Sequence, residues 1–171
     1  MPLSFQETYI TMNEKIIARA ELARSRFLEG YGCAQSVLLA FSDLTGLDER
    51  TSARLGSSFG GGMGRLREVC GGVTGAFAVL GLLCGYEDPT DKEGKSRHYA
   101  DIRELARRFS ERSRGNSIIC RELLTGAGLS GAAGGEAEAR TPEYYKKRPC
   151  PDLVALAAEI LAEMLNEKGI L

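Results

Sequence analysis

The sequence contains no tryptophan and one histidine, His98, among 171 residues. A lone histidine excludes a histidine-built metal centre, and the absence of Cys-x-x-Cys-His excludes covalent c-type haem. His98 is expected at the surface. No Cys-x-x-Cys pair is present either, although the chain has five cysteines. Aromatic residues are sparse, six Phe and six Tyr, which suits a modest core rather than a platform for stacking nucleic-acid bases. Charge of neither sign dominates: the net charge of −1 gives no general attraction to nucleic acid or anionic membrane. The opening MPLSFQETYI has neither a basic n-region nor a long apolar stretch, so no signal peptide is read and a cytoplasmic protein is expected. No run alternates polar and apolar residues long enough to predict a strand. No internal repeat or domain linker is visible.

What the chain does have is one long uncharged run, Val69 to Tyr86. Its length matches a membrane span, but Gly71, Gly72, Gly75, Gly81 and Gly85 dilute its hydrophobicity and no polybasic flank orients it. The run is expected to be a central helix buried on all sides, with no membrane insertion.

Around it, periodicity predicts an all-α fold, a compact bundle of six to seven helical segments in one domain. Ile16, Ala20, Ala23 and Phe27 mark the first amphipathic helix. Ala34, Val37, Leu38, Phe41 and Leu44 mark the second. Asp48 is positioned to cap a third with Leu55 and Phe59 inside. Gly60 to Gly64 must form a loop. A fifth helix carries Tyr99, Ile102, Ala106 and Phe109. Asn116 is expected to cap a short sixth. A Gly- and Ala-rich loop from about Thr125 to Pro149 precedes the last helix, with Leu153, Leu156, Ile160 and Met164 inside. The phosphate-loop look of SSFGGGMGRL lacks its Lys-Ser/Thr ending and a preceding strand, so nucleotide binding is not expected. Arg65 and Arg67 are read as solvated surface. The arginines and acids of the fifth helix read as a solvated face with i, i+4 pairing.

On this map four cysteines fall at helix starts: Cys33, Cys70, Cys120 and Cys150. Unsatisfied N–H groups and the helix dipole favour negative charge there, so these thiols are expected to ionise readily. Lys146, Lys147 and Arg148 push Cys150 the same way. Cys84 lies at the opposite helix end among leucines and reads as a small core residue. Gly71 and Gly75 share one helix face, and Gly72 widens it beside Cys70. Glycine inside a helix costs roughly 0.5–1 kcal/mol relative to Ala. Three so close together imply the near approach of another cysteine-bearing helix, and Gly71, Gly72 and Gly75 are candidates for the wall of a cofactor site.

These segments, GYGCAQSVLLAF, FGGGMG, EVCGGVTGA, SIICRELL and KKRPCPDLVALAAEIL, resemble the C_GCAxxG_C_C family of redox-active proteins. The resemblance covers about residues 25–165 and leaves 1–24 as an N-terminal helical extension. It implies that Cys33, Cys70, Cys120 and Cys150 are the functional cysteines and that Cys84 lies outside the pattern. Gly72 stands where the family motif has Ala.

Three functions remain open on these residues. The four cysteines could cycle between thiols and disulfides as an oxidoreductase or electron-transfer protein, working with a redox partner protein. They could hold an iron–sulfur cluster or another soft metal as a thiolate set. Or the chain could be a structural, partner-binding helical protein. Intervals of 36, 49 and 29 intervening residues mean that any pair must form across helices. The uncovered length of the apolar helix and the stripe on the first helix suggest a homodimer through the first or last helix.

Overall fold

A computed structural model describes residues 5–171, with side chains from residue 11 onward, so residues 1–4 of the extension lie outside the described part. The fold is all-α: α1 (Phe5–Leu28), α2 (Cys33–Ala40), α3 (Ser42–Thr45), α4 (Glu49–Gly56), α5 (Gly60–Met63), α6 (Gly71–Cys84), α7 (Lys92–Arg112), α8 (Cys120–Gly126), α9 (Pro142–Lys147) and α10 (Cys150–Glu167). The described residues include no strand, only an isolated antiparallel bridge between Val69 and Ile119. No helix among them is long and apolar enough to cross a membrane.

Helix α6 is the hub, packed by α2, α7 and α10, while α1 lies across α2 and α10. Phe27, Phe41, Phe109, Leu38, Leu80, Leu105, Leu161 and Leu165 fill the core and are fully buried. Local chemistry sets the helix starts. Asp48 accepts the Thr51 amide at 2.9 Å, and Asp91 accepts that of Gly94 at 2.7 Å. Gln35 reaches back to the Gly32 amide at 2.7 Å, closing the start of α2. Each such cap satisfies a donor that the first turn leaves free.

Several expectations need correction. The apolar helix is not covered on all sides: its first half is buried, but Leu82 is 48% exposed. Its first turns are wedged between α2 and α10, and that wedge ends before Leu82. The stripe Ala20, Ala23 and Phe27 on α1, offered above as a dimer face, is buried within the chain's own core. Leu55 and Tyr99 point outward, and Ser52 and Gly56 are what α4 buries. Arg107 pairs along α7 with Glu104 and Glu111, as the charge pattern predicts. Arg108 keeps its i, i+4 partner Glu104 and also crosses to Glu167, while Arg112 crosses to Glu159 and Glu163, tying α7 to α10. The long loop before Cys150 contains α9, which Thr141 caps at 3.2 Å.

Candidate functional site

The four cysteines singled out above each begin a helix. Cys33, Cys120 and Cys150 are the first residues of α2, α8 and α10, and Cys70 is the N-cap of α6. All four line one cavity of about 20 Å³, closed by Gly62, Gly71 and the apolar side chains of α8 and α10. That is the space of about one water-sized sphere. Cys84 sits elsewhere, in a cleft with His98, Asp101 and Lys168, so it is not the enclosed core residue expected. All five cysteines are free thiols.

Two devices bring the helix starts together. The first is the bridge: the Cys70 amide donates to Ile118 O at 2.7 Å, and the Cys120 amide donates to Glu68 O at 2.6 Å. This pairing starts α6 and α8 side by side. It also explains why Asn116 does not cap α8. Residues 117–119 are drawn out to meet 67–69, and tertiary hydrogen bonds override a local cap. The second device is glycine. A Cβ on Gly71 would lie 2.8 Å from Cys33 Cβ, and one on Gly75 would lie 2.9 Å from Ala34 O. Gly72 faces Ala157 and Val154 at 3.4 Å. The cysteine-bearing helices α2 and α10 therefore lie on the glycine face, as the sequence implied. Of the three glycines proposed for a cofactor wall, only Gly71 borders the cavity; Gly72 and Gly75 are packing positions.

The segment before Cys70 follows an unusual path. Gly61, Gly62, Met63, Gly64 and Arg65 all have φ between 59° and 69°, and Arg67 follows at 62°. A left-handed backbone costs roughly 1–2 kcal/mol at each non-glycine residue. The path lets Gly62 lie against Cys120, where a Cβ would sit 2.7 Å from Cys120 Cβ. The Gly60–Gly64 loop thus touches Cys120, across the bridge from Cys70.

Electrostatics divides the four thiols. Cys150 is lowered to about 7: the Cys33 thiol donates to its sulfur, and Arg148 and Arg140 add positive charge. Cys33 is driven well above its ordinary value by that same hydrogen bond and by burial. One proton is in effect shared between them and rests on Cys33, with the charge on Cys150 beside the arginines. Burial pushes Cys70 up to about 12 despite the Gly72 and Val73 amides at its sulfur. Burial also raises Cys120, opposed by Arg67, whose Nη1 lies 3.8 Å from the Cys120 sulfur. The expectation that all four helix starts would favour thiolates therefore fails at three of them. At Cys70 and Cys120 loss of water costs more than a helix start returns, and at Cys33 the proton is held chiefly by the hydrogen bond to Cys150.

A family sequence profile described as "Putative redox-active protein (C_GCAxxG_C_C)" matches residues 31–164. The chain belongs to the C_GCAxxG_C_C family. No curated protein and no solved structure matches the chain. The family match contains α2 to α9 and nearly all of α10, and hence every wall of the cysteine cavity, and leaves out α1.

In this C_GCAxxG_C_C chain, sequence reasoning missed the arginines around the cysteines. Arg67 is only 4% exposed, not solvated, and its Nε donates to Ala132 O at 3.2 Å. Arg65 Nε donates to Gly134 O at 2.9 Å. Arg140 stacks on Phe27 at 4.5 Å and donates to Tyr31 O at 3.2 Å. Arg65 and Arg67 hold the Gly- and Ala-rich segment at Gly134 and Ala132, and Arg140, within the segment, ties it to Phe27 and Tyr31. A single charge among charges gives no sequence signal of burial; the only hint was that Arg67 lies three residues before Cys70. Replacing Arg67 with Gln is expected to release the segment. Limited proteolysis should then cut between residues 127 and 141 several-fold faster, and an unchanged digestion pattern would show that Arg67 does not anchor it.

Proposed function

We propose that this protein is a thiol–disulfide redox protein in which Cys150 is the attacking thiolate and Cys33 the resolving thiol. The supporting observation is the convergence of four cysteine-bearing helix starts on one small cavity, in which Cys33 is the neighbour that most favours the Cys150 thiolate. The oxidant is a disulfide. The Cys150 thiolate attacks one of its sulfurs, the S–S bond breaks, and one half leaves as a thiolate that takes up a proton. Cys33 loses its proton and attacks the Cys150 sulfur, displacing the other half. The chain gives up two electrons and ends with a Cys33–Cys150 disulfide, and the oxidant ends as two thiols. A redox partner protein with a dithiol would reverse the cycle. Cys70 and Cys120 sit beside the pair as less acidic thiols.

The test is a thiol count with mapping. Reduced protein treated with an excess of a simple disulfide should fall from five free thiols to three, with Cys33 and Cys150 linked in the peptide map. A different linkage, or independent capping of single cysteines, would refute the assignment.

A second reading uses the same cysteines as ligands of a soft metal or iron–sulfur cluster. Its support is that Cys33, Cys70, Cys120 and Cys150 all wall a cavity the size of one atom. Among the described residues no three Cys, His, Asp or Glu groups are arranged to hold a metal ion, so binding would require the sulfurs to move. Metal and acid-labile sulfide at stoichiometric levels in protein purified without oxygen would favour this reading over the first.

The homodimer is likewise a proposal. With Ala20, Ala23 and Phe27 buried internally, its face on α1 would be Ile17 and Leu22, 58% and 40% exposed. Light scattering is expected to give twice the chain mass at micromolar concentration; a monomer mass ends the idea.

A further inference from the structure

Beside the cysteine cavity lies a second and much larger space, a cleft of about 630 Å³. Its size is that of a small-ligand site, roughly 300–1,000 Å³. Leu123 and Leu153 line both spaces and form the partition between them. Arg148 lines the cleft, and its positive charge also favours the Cys150 thiolate.

The cleft is basic. Arg24, Arg112, Arg114, Lys147 and Arg148 line it, against one carboxylate, Asp152. Three of the cations are already engaged: Arg24 with Asp152 and Glu21, Arg112 with Glu159 and Glu163, and Arg148 with Glu138. Arg114 and Lys147 have no carboxylate partner among the described residues. They enter from different elements, one after α7 and one at the end of α9, yet face the same space. Two unpaired cations in a cleft that shares Leu123 and Leu153 with the thiol cavity form a recognition pattern for a negatively charged substrate.

We propose that this cleft binds a small carboxylate-bearing disulfide and presents its S–S bond to Cys150. This rests on the thiol–disulfide reading and adds the substrate class to it. Arg114 and Lys147 hold the carboxylates. Cys150 does not itself line the cleft, so Leu123 and Leu153 move aside to let the near sulfur reach it; its attack releases the distal half through the cleft as a carboxylate-bearing thiolate. Cys33 then displaces the second half, so the two electrons pass from the cysteine pair to the bound disulfide.

The test uses three disulfides of matched length: the dianion 3,3′-dithiodipropionate, its neutral diamide, and the dication cystamine. Each rate of Cys33–Cys150 oxidation is divided by the rate of the same disulfide with 2-mercaptoethanol. The dianion is expected to react at least about tenfold faster than the diamide, with the dication slowest. In an Arg114→Gln/Lys147→Gln variant the spread should shrink to about twofold, and high salt should shrink it likewise. Equal normalised rates in the native protein, or an unchanged spread in the variant, would overturn the proposal. Calorimetry on Cys150→Ser, which cannot exchange, separates this from the redox reading. Saturable binding of the dianion but not the diamide supports the cleft even where the native protein fails to oxidise, and then the redox reading alone falls. No binding of the dianion overturns the cleft.

Discussion

Iodoacetamide is expected to alkylate Cys150 a few hundred-fold faster than Cys70 in the reduced, metal-free protein at pH 7. The estimate follows from the two acidities. A thiol near 7 is half ionised at pH 7, whereas one near 12 is ionised only to about one part in 10⁵. The more basic thiolate is the better nucleophile, with a Brønsted coefficient of about 0.4–0.5, which returns roughly 10²-fold over five units. The remainder is about 10²–10³ in favour of Cys150. Accessibility adds to it, because Cys70 is only 6% exposed. Burial also raises Cys84, so Cys150 should outpace it too.

The pH profile carries the sign. The Cys150 rate should climb from pH 5, reach half its maximum near pH 7, and flatten above, since the reactive form is the deprotonated one. Cys33→Ala removes the main hydrogen bond to the thiolate and should move the midpoint upward the most. Arg148→Gln should move it upward by less. Mass spectrometry of timed digests reads every site at once. Equal rates at Cys150 and Cys70, or a Cys150 midpoint near 9, would remove the thiolate assignment.

Alanine substitutions along the glycine face should separate sharply in stability. Gly71→Ala places a methyl 2.8 Å from Cys33 Cβ and 2.9 Å from Phe59 O. Gly75→Ala places one 2.9 Å from Ala34 O and 3.0 Å from its Cα. Backbone cannot yield there without moving α2, so each should cost about 1–3 kcal/mol, or roughly 3–10 °C in Tm. Gly71→Ala should also displace Cys33, which most favours the Cys150 thiolate, and raise the Cys150 midpoint. Gly72→Ala is the opposite case. Its methyl would meet Ala157 and Val154 at 3.4 Å, an ordinary contact, and helical backbone suits alanine. It should stabilise by about 0.4–1 kcal/mol, chiefly through the unfolded chain. This position is where the family motif has Ala, and the space is consistent with that residue. Thermal unfolding of the three variants decides it; equal losses at all three would mean that α2 and α10 do not rest on this face as described.

Helix positions, the cysteine-bearing starts and the glycine face were legible in the sequence because each depends on local spacing. Ala20, Ala23 and Phe27, or Leu153, Leu156, Ile160 and Met164, repeat at three and four whatever they pack against. Gly71 and Gly75 share a face of any helix that contains them. The start of α8 was misplaced because residues 117–119 answer to a pairing with 67–69, some 50 residues away.

What the sequence by itself determined is therefore an all-α chain with four thiols at helix starts, one glycine-faced central helix and a fifth thiol apart. The basic neighbours Lys146, Lys147 and Arg148 already favoured Cys150 in the sequence; tertiary structure decided that the other three thiols stay protonated. Cys70 and Cys150 share a helix start, yet one is pushed up to about 12 and the other lowered to about 7. The difference comes from burial in the core at Cys70 and from Cys33, Arg148 and Arg140 at Cys150. Cys33 and Arg140 reach Cys150 from other parts of the chain, and a thiol's acidity depends on what surrounds it in space, which residue order does not state.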